Sequence, residues 1–456
     1  MGFPADFLRK AALNWQNIFI WRVEGMLVEF RVENHRSIRE EQVLTMEAGH
    51  VGDATDIQPR HVKGVAAPLL PVVAIYGANA SGKSNVLDGL AYMQLVVLLS
   101  YRIFSPGSGI PGRTPFAWDG HRNKPSLYEV VIVVDGVRYQ YGFVLDDERI
   151  HEEWLYAWPK GRKQRWFERE WDDENGYSFS FGDHLKGVKR IVEDFTRDNA
   201  LFLSAAAQNA NEQLMSLYHW FHGLRIVEGK RRVGFTDTEK DQWLANAMQE
   251  SVQTGAPEQS QQQSKLEAFR DLIRAADFGV VDFKTDPMRP GGYLFQHSVN
   301  DDDPWLALDQ ESDGTKALFS RAQLIIDVIW RGGIIVIDEL EKSLHPLLAQ
   351  RIIDLFNDPL GNPLNAQIIF TTHDTNLLSG LRSSVPLRRD QVWLTEKSRE
   401  GATRLFPLTD YQPRKGENLE KGYLIGRYGG VPVTTDFSKS SWPLRASDHE
   451  EEAHAK

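Results

Sequence analysis

The chain has 456 residues, with 52 basic against 63 acidic side chains for a net charge of −11, and 41% of it is apolar. That is length for two or three domains with ample core, and the acidic balance excludes a protein-wide positive field for nucleic acid, though not a local basic groove. The absence of cysteine excludes disulfides, zinc–thiolate sites and iron–sulfur clusters, and suits a reducing cytosol.

From the N-terminus, residues 1–25 read as an extension. Arg9, Lys10 and Arg22 stand among scattered apolar residues, with no signal-peptide core or small-residue cleavage site. Met26, directly before a strand-like run, reads as an alternative start. No apolar run approaches the ~20 residues of a membrane span, so the expectation is a soluble, cytoplasmic protein with no membrane partner. "MLVEFRVENHRSIREEQVLTM" reads as strand, polar turn and strand, with Asn34-His35-Arg36-Ser37 at the turn.

Pro71–Tyr76 is a continuous apolar run of strand length, and Asn85 onward is helical, with Val86, Leu87, Leu90 and Met93 on one face. Between them Gly77-Ala78-Asn79-Ala80-Ser81-Gly82-Lys83-Ser84 fits the phosphate-loop pattern G-x-x-x-x-G-K-[ST] in full, in the strand-to-helix context that the pattern requires. The glycines leave the backbone N–H groups from Gly77 to Asn85 free to ring a phosphate, and the helix N-terminus adds its partial positive charge. Lys83 is expected to reach the β- and γ-phosphates of a nucleoside triphosphate, and the Ser84 hydroxyl to hold magnesium. The expected cofactors are ATP and Mg²⁺.

Farther on, "SLYEVVIVVDGVRYQYGFVLDDERIHEEWLYAWP" alternates polar and apolar residues with breaks at Asp135-Gly136 and Asp146-Asp147, an antiparallel meander that "RWFEREW" and "YSFSFG" continue. Residues 185–243 are mostly helical in pattern, and "QTGAPEQSQQQS" (253–264) reads as a mobile Gln/Ser-rich linker. A helix over Lys265–Asp277 and a strand over Val280–Phe283 follow. "DQESDGTKALFSRAQLII" sets Ser312-Asp313-Gly314-Thr315 ahead of an apolar helix, the composition of a polar N-cap. In "GGIIVIDELEKSLHP" the apolar strand Gly333–Ile337 ends in Asp338-Glu339. Near a phosphate loop, Asp338 is placed to bind Mg²⁺ through water and Glu339 to orient the attacking water as a base. A strand whose polar end merely meets solvent is the plainer reading of the same residues. A second apolar strand, "AQIIFTTHDTNLL", ends at His373, whose imidazole can hydrogen-bond the γ-phosphate or the attacking water. From residue 433 to 456 the apolar pattern fades into what reads as a disordered tail.

The order of these elements resembles the ABC-type ATPases, and within them the subgroup of the SMC and RecF proteins: phosphate loop, then Asp-Glu followed by "SLHP", then a strand ending in "THD". The resemblance implies an α/β fold, an ABC-type P-loop ATPase with a mixed sheet core, an antiparallel β subdomain and a helical insertion. It implies a signature loop just before the Asp-Glu strand, in which Ser312 and Gly314 contact the γ-phosphate held by a second protomer's Lys83 in a head-to-tail dimer. Asp313 replaces the first of the two adjacent glycines usual there. "LEKSLHP" lacks the aspartate that many such ATPases carry after the catalytic glutamate, which leaves Ser343, Leu344 and His345 to line the dimer contact. "ENHRSI" resembles the subgroup's Asn-Phe-x-Ser-like segment and places Arg36 and Ser37 near the nucleotide, a polar hairpin turn being the alternative. The magnesium-sensing glutamine of such ATPases is assigned to Gln208, at the end of the strand-like "ALFLSAAAQ". By this reading the catalytic residues are Lys83, Glu339 and His373, and the metal residues Ser84, Asp338 and Gln208.

The span from Lys83 to Ser312 fits a compact insertion and excludes the long coiled-coil arms of SMC-type proteins. Together "ENHRSI", "GANASGKSNVLDGL", "THDTNLL", "RRDQVW" and "RKGENLEKGYLIGRYGGVP" resemble a bacterial family of AAA-type ATPases of the abortive-infection AbiL-like or RloA-like kind, from about Met26 to Pro432. Such ATPases are typically encoded in antiphage defence islands, often beside a separate effector such as a Toprim-type nuclease. The resemblance implies a defence ATPase that dimerises or assembles further around ATP and controls an effector. A RecF-like DNA-repair ATPase acting directly on DNA is the alternative, and a nucleotide-gated scaffold with negligible turnover shares every binding motif. The expected division is an extension (1–25), an N-terminal lobe part with phosphate loop and meander (26–184), a helical insertion (185–300), a C-terminal lobe with signature, Asp-Glu strand and His loop (301–432), and the tail (433–456). The closing motif carries Arg414, Lys415, Lys421 and Arg427 in a place that no nucleotide motif occupies. It reads as an amphipathic helix whose Leu419, Tyr423 and Leu424 cover the core before Gly429-Gly430 stop it, or as a docking segment for the effector or a neighbouring subunit as well.

Overall fold

Alternating apolar residues suit a sheet with one wet face, and unbroken apolar runs suit strands covered on both faces. The computed structural model, which describes residues 25–50, 59–227, 257–275, 279–289, 292–298, 301–302, 304–342, 344–379, 387–414 and 416–431 (without the side chains of 257–263 and 275), sorts the strands by that difference. The expected extension up to residue 24, linker residues 253–256 and the tail 433–456 lie outside the described residues.

Seven strands form an antiparallel sheet in the order β2-β1-β4-β5-β6-β7-β8. They are β1 (Gly25–Glu33), β2 (Gln42–Thr45), β4 (Ser126–Val134), β5 (Val137–Leu145), β6 (Ile150–Trp158), β7 (Gln164–Asp172) and β8 (Gly176–Phe181). The predicted meander is there, and Asp135 and Gly136, with φ of 51° and 72°, make its first two-residue turn. A six-stranded sheet in the order β16-β15-β3-β14-β13-β9 carries the chemistry. Its strands β3 (Val72–Gly77), β9 (Arg225–Val227), β13 (Ile334–Ile337), β14 (Gln367–Thr371) and β15 (Val392–Lys397) run parallel, and β16 (Thr403–Pro407) is the antiparallel edge. A three-stranded sheet joins β10 (Val280–Thr285), β11 (Tyr293–His297) and β12 (Trp305–Ala307).

The parallel strands divide two cores between their alternate residues. Val73 and Ile75 of β3, Ile334 and Val336 of β13, and Ile369 of β14 face a core shared with the antiparallel sheet and the helix Lys83–Ile103. Val72, Ala74, Tyr76, Ile335, Ile337, Ile368 and Phe370 face a second core, under the helices Asp313–Arg331 and Pro346–Asn357. The helix Lys83–Ile103 is long and apolar enough to cross a membrane, against the expectation that no run approaches that length, but it is mostly buried against β1, β4 and the helices Phe202–Gln208 and Glu212–Gly223.

A buried amide ties the sheets together at the foot of β14. Gln367, wholly buried at the start of β14, accepts the Leu27 N–H at 2.6 Å and donates to the carbonyls of Leu27 at 3.0 Å and Leu70 at 3.1 Å. Leu27 lies where β1 shifts register against β4, a bulge that leaves main-chain groups without ladder partners.

Two expectations fail locally. The strand-like "ALFLSAAAQ" is the helix Phe202–Gln208, because the buried Glu153 carboxylate on β6 accepts the N–H groups of Phe202 at 2.6 Å and Leu203 at 3.0 Å and so starts a helix there. The Gln/Ser-rich linker is helical from Pro257, in one helix that runs to Ala275. Proline suits a first helical position and glutamine is a good helix former, so composition misled where propensity did not.

Replacing Gln367 with Met keeps the volume but leaves buried peptide groups of β1 unpaired. The expected cost is about 2 kcal/mol, read as a lower urea midpoint at unchanged slope; an unshifted midpoint removes the staple from the account.

Candidate nucleotide-binding site

Strand β3 ends at Gly77 in the middle of the parallel sheet, and the chain turns through Ala78–Gly82 into the helix Lys83–Ile103. A Cβ on Gly77 would lie 2.3 Å from Thr395 Oγ1, and one on Gly82, whose φ is 106°, 2.0 Å from Thr403 Oγ1. Neither position admits a side chain. Two strand threonines brace the loop from behind. Ser81 Oγ and Thr395 Oγ1 are 2.6 Å apart, and Thr403 Oγ1 donates to the Ser81 carbonyl at 2.8 Å. Because Thr403 spends its proton there, the Ser37 hydroxyl donates to Thr403 at 2.7 Å, and Asn85 Nδ2 donates to Ser37 at 2.5 Å. Ser37 and Asn85 thus sit beside the phosphate loop as expected, but buried Ser37 acts on the loop's shape.

Lys83 is buried and folds back on its own loop, donating to the carbonyls of Gly77 at 2.8 Å and Ala78 at 3.1 Å. Burial lowers its pKa to about 8, against the pull of Asp338, Glu341 and Glu339. Ser84 donates to Asp338 Oδ1 at 2.9 Å, and Thr371, at the end of β14, donates to the same oxygen at 2.6 Å. Thr371 Oγ1 also accepts the Glu339 N–H at 2.7 Å, where Glu339 stands in the left-handed region with φ 54°. The Glu339 carboxylate is partly exposed and lies 3.4 Å from Lys342 Nζ. His373 follows β14. Burial and then the Lys83 charge lower its pKa, against Glu341, Glu339 and Asp338, so its imidazole is neutral at neutral pH.

Glu341 belongs to no motif, yet it stands at this site. Its Oε1 accepts the His373 N–H at 2.7 Å, and its buried Oε2 has no hydrogen-bond partner among the described residues. A third carboxylate three residues after Asp338 was the available signal. Thr395 and Thr403 had none, since they reach the loop only through the sheet.

Other expected residues fall differently. Arg36, with φ 51°, turns to the helix behind the loop, where its Nε and Nη2 both bond the Asp88 carboxylate, which also holds His35 Nε2 at 2.9 Å. Gln208 is misassigned. Its Nε2 donates to Tyr218 OH at 3.2 Å, and Tyr218 bonds the Leu98 carbonyl at 3.1 Å. Leu98 is four turns along the helix from Ser84, roughly 20 Å at 1.5 Å per residue, so Gln208 does not reach the Ser84–Asp338 pair. Ser312 caps the helix Asp313–Arg331 by accepting the Thr315 N–H at 3.1 Å, as the plainer reading has it; it is also exposed, with Gly314 half-buried behind it. Leu344 packs into the second core rather than lining a contact, His345 is exposed at the next helix's N-cap, and Ser343 lies outside the described residues.

With this geometry in view, the sequence matches over residues 72–379, more than half its length, the family described as "AAA domain, putative AbiEii toxin, Type IV TA system". The chain belongs to that family. No curated protein matches this AAA-family chain. Among solved structures it is similar to the SMC head domain from Thermotoga maritima (15% identity, 84% of this chain and 98% of that one, TM-score 0.38) and to an SMC head bound to the C-winged helix domain of ScpA (14%, 83% and 97%, 0.41). An SMC head with an extended coiled coil bound to the C-terminal domain of ScpA, derived from Pyrococcus furiosus, is similar at 12% identity, over 88% and 99%, with TM-score 0.38.

The residues of this AAA domain fit the groups it would hold. The glycine cradle, where any Cβ would intrude, and the buried Lys83 suit a polyphosphate. The paired oxygens of Ser84 and Asp338 suit magnesium, which takes one or two protein oxygens beside substrate phosphates; accordingly, no cage of three His, Asp or Glu side chains is required, and none occurs among the described residues.

Burial alone would raise the Asp88 carboxyl, but hydrogen bonds and charge from His35 and Arg36 hold it at about 2. A carboxylate so depressed adds stability above its ordinary pKa near 4 that is lost as pH falls toward 2. Asp88→Asn is therefore expected to cost about 2 kcal/mol at pH 7, with the gap to wild type narrowing between pH 4 and 2 in denaturant melts. A gap independent of pH rules this pairing out as its source.

Proposed function

We propose that this protein binds and hydrolyses ATP with Mg²⁺ as the cytoplasmic ATPase of a bacterial antiphage, abortive-infection type system, dimerising around the nucleotide and controlling a separate effector. One juxtaposition carries the ATPase reading. Lys83 and Ser84 after β3, Asp338 and Glu339 after β13 and His373 after β14 leave neighbouring parallel strands at the same sheet edge, with Ser84 bonded to Asp338. Ligands of open α/β sheets gather at the carboxyl ends of strands. In this reading Lys83 exchanges its loop carbonyls for the β- and γ-phosphates. Glu339 orients the attacking water, and neutral His373 donates to the γ-phosphate. Magnesium, held by Ser84 and Asp338, would offset phosphate charge. Exposed Ser312 and half-buried Gly314 fit the resemblance-based reading in which the signature helix completes a second protomer's site. The defence role rests on the family and on the resemblance of the closing motif. A RecF-like enzyme acting directly on DNA is the competing reading; DNA-stimulated turnover by the isolated protein favours it, and co-purification with a neighbouring gene's product that is toxic on phage infection favours defence.

Lys83→Ala is expected to abolish ATP binding, whereas Glu339→Gln retains ATP and accumulates the assembled state, with turnover lowered at least about 100-fold. Near-wild-type turnover in Glu339→Gln takes the catalytic role from that residue.

Ser312→Arg is expected to stop hydrolysis while monomer affinity for ATP stays within about threefold. Mixed dimers of Ser312→Arg with Lys83→Ala then hold one site with neither lesion and regain up to half the activity. No recovery in well-formed mixed dimers counts against a composite site.

A further inference from the structure

The closing segment contains no nucleotide motif of its own, but it lies against two of them. The helix Leu419–Leu424, capped by Asn418, buries Leu419 and Tyr423 and leaves Leu424 exposed, contrary to the expected core role of Leu424. The Tyr423 ring meets Tyr76, the residue before Gly77, edge-on with centroids 5.6 Å apart. Its hydroxyl donates to the Gly430 carbonyl at 3.2 Å, and Gly430 lies beside the loop, where a Cβ on it would meet Gly77 Cα in ordinary contact at 3.7 Å. The Gly430 N–H donates to Glu396 on β15, next to the Thr395 that holds Ser81. At the segment's other side, Glu420 Oε1 accepts the Thr375 hydroxyl at 3.0 Å, two residues past His373. Tyr76 OH donates to the Asp374 carbonyl between them at 3.0 Å.

One short helix therefore packs one side chain against the residue that precedes the phosphate loop and bonds the His373 loop with another. We propose that Tyr423 and Glu420 are positioning residues of the nucleotide site: Tyr423, through Gly430, fixes where the phosphate loop leaves β3, and Glu420, through Thr375, fixes the loop that aims His373. Neither touches substrate, so each acts through the loop it holds. The division of labour follows from what the loops do: the phosphate loop binds the nucleotide, and His373 faces the reacting phosphate. Burial pushes the Tyr423 hydroxyl up, partly offset by the Gly77 N–H, so it stays a protonated donor over the working pH range.

The inference rests on the ATP-site reading above, and the test separates the two. Tyr423→Phe keeps the ring and removes the hydroxyl; Thr375→Val keeps the shape and removes the donor to Glu420. Loss of one such hydrogen bond corresponds to about a fivefold effect. Tyr423→Phe is expected to raise the Kd for a fluorescent ATP analogue and KM about fivefold with kcat little changed. Thr375→Val and Glu420→Ala are expected to lower kcat about fivefold with KM little changed, and Glu420→Gln, which still accepts the Thr375 hydroxyl, to recover most of that loss. A lowered melting temperature with KM and kcat at wild-type values overturns the proposal, as does the same loss of kcat in Glu420→Gln and Glu420→Ala. If Tyr423→Phe does not fold, the Thr375 and Glu420 variants decide. Wild-type protein that fails to bind the analogue overturns the ATP-site reading itself.

Discussion

One carboxylate oxygen organises the site. Asp338 Oδ1 receives two hydroxyls, from Ser84 at 2.9 Å and Thr371 at 2.6 Å, so three chain segments far apart in sequence meet at one charged acceptor. Hydrogen bonds to an ionised acceptor are among the stronger ones, and this pair exists only in one register. β13 and β14 align Ile337 with Phe370, which brings Thr371 beside Asp338. A slip of one residue would send the Thr371 side chain to the opposite face. The same threonine then receives the Glu339 N–H, turning that residue into a conformation non-glycine residues seldom adopt. Strand register, the Ser84–Asp338 pair and the course of the chain at Glu339 are one constraint.

Around that oxygen the charges are arranged for exchange. Lys83 already occupies two carbonyls and feels three carboxylates, so any phosphate it bound would have to replace existing partners of the lysine. Binding energy would then be the difference between two well-paired arrangements, which is smaller than the contacts of either one alone suggest. Glu341 adds a tie between chemistry and scaffold: its Oε1 holds the His373 main chain while its other oxygen lies buried.

What was legible in the sequence was what strand burial writes locally. The apolar runs before Gly77, Asp338 and His373 are unbroken because both faces of β3, β13 and β14 are covered, and Asp135-Gly136 announces its turn through backbone preference. What was not legible depends on partners distant along the chain. Phe202–Gln208 is helical because Glu153, about fifty residues earlier, takes its first N–H groups, and that misreading carried Gln208 to the wrong end of the helix Lys83–Ile103. Ser37, Thr395 and Thr403 form one brace behind the phosphate loop although the two threonines lie more than 300 residues from Ser81, and Thr403 more than 300 from Ser37. Leu424 matched a helical face in spacing, but the helix is too short to bury both sides.

The Gln367 staple puts the outer sheet and the site on one line of hydrogen bonds. Its amide spans from β1 of the antiparallel sheet to the foot of β14, and four residues up that strand stands Thr371. The hydroxyl that touches Asp338 therefore hangs from the same strand that anchors β1. The outer sheet is thereby part of the site's foundation as well as a cover.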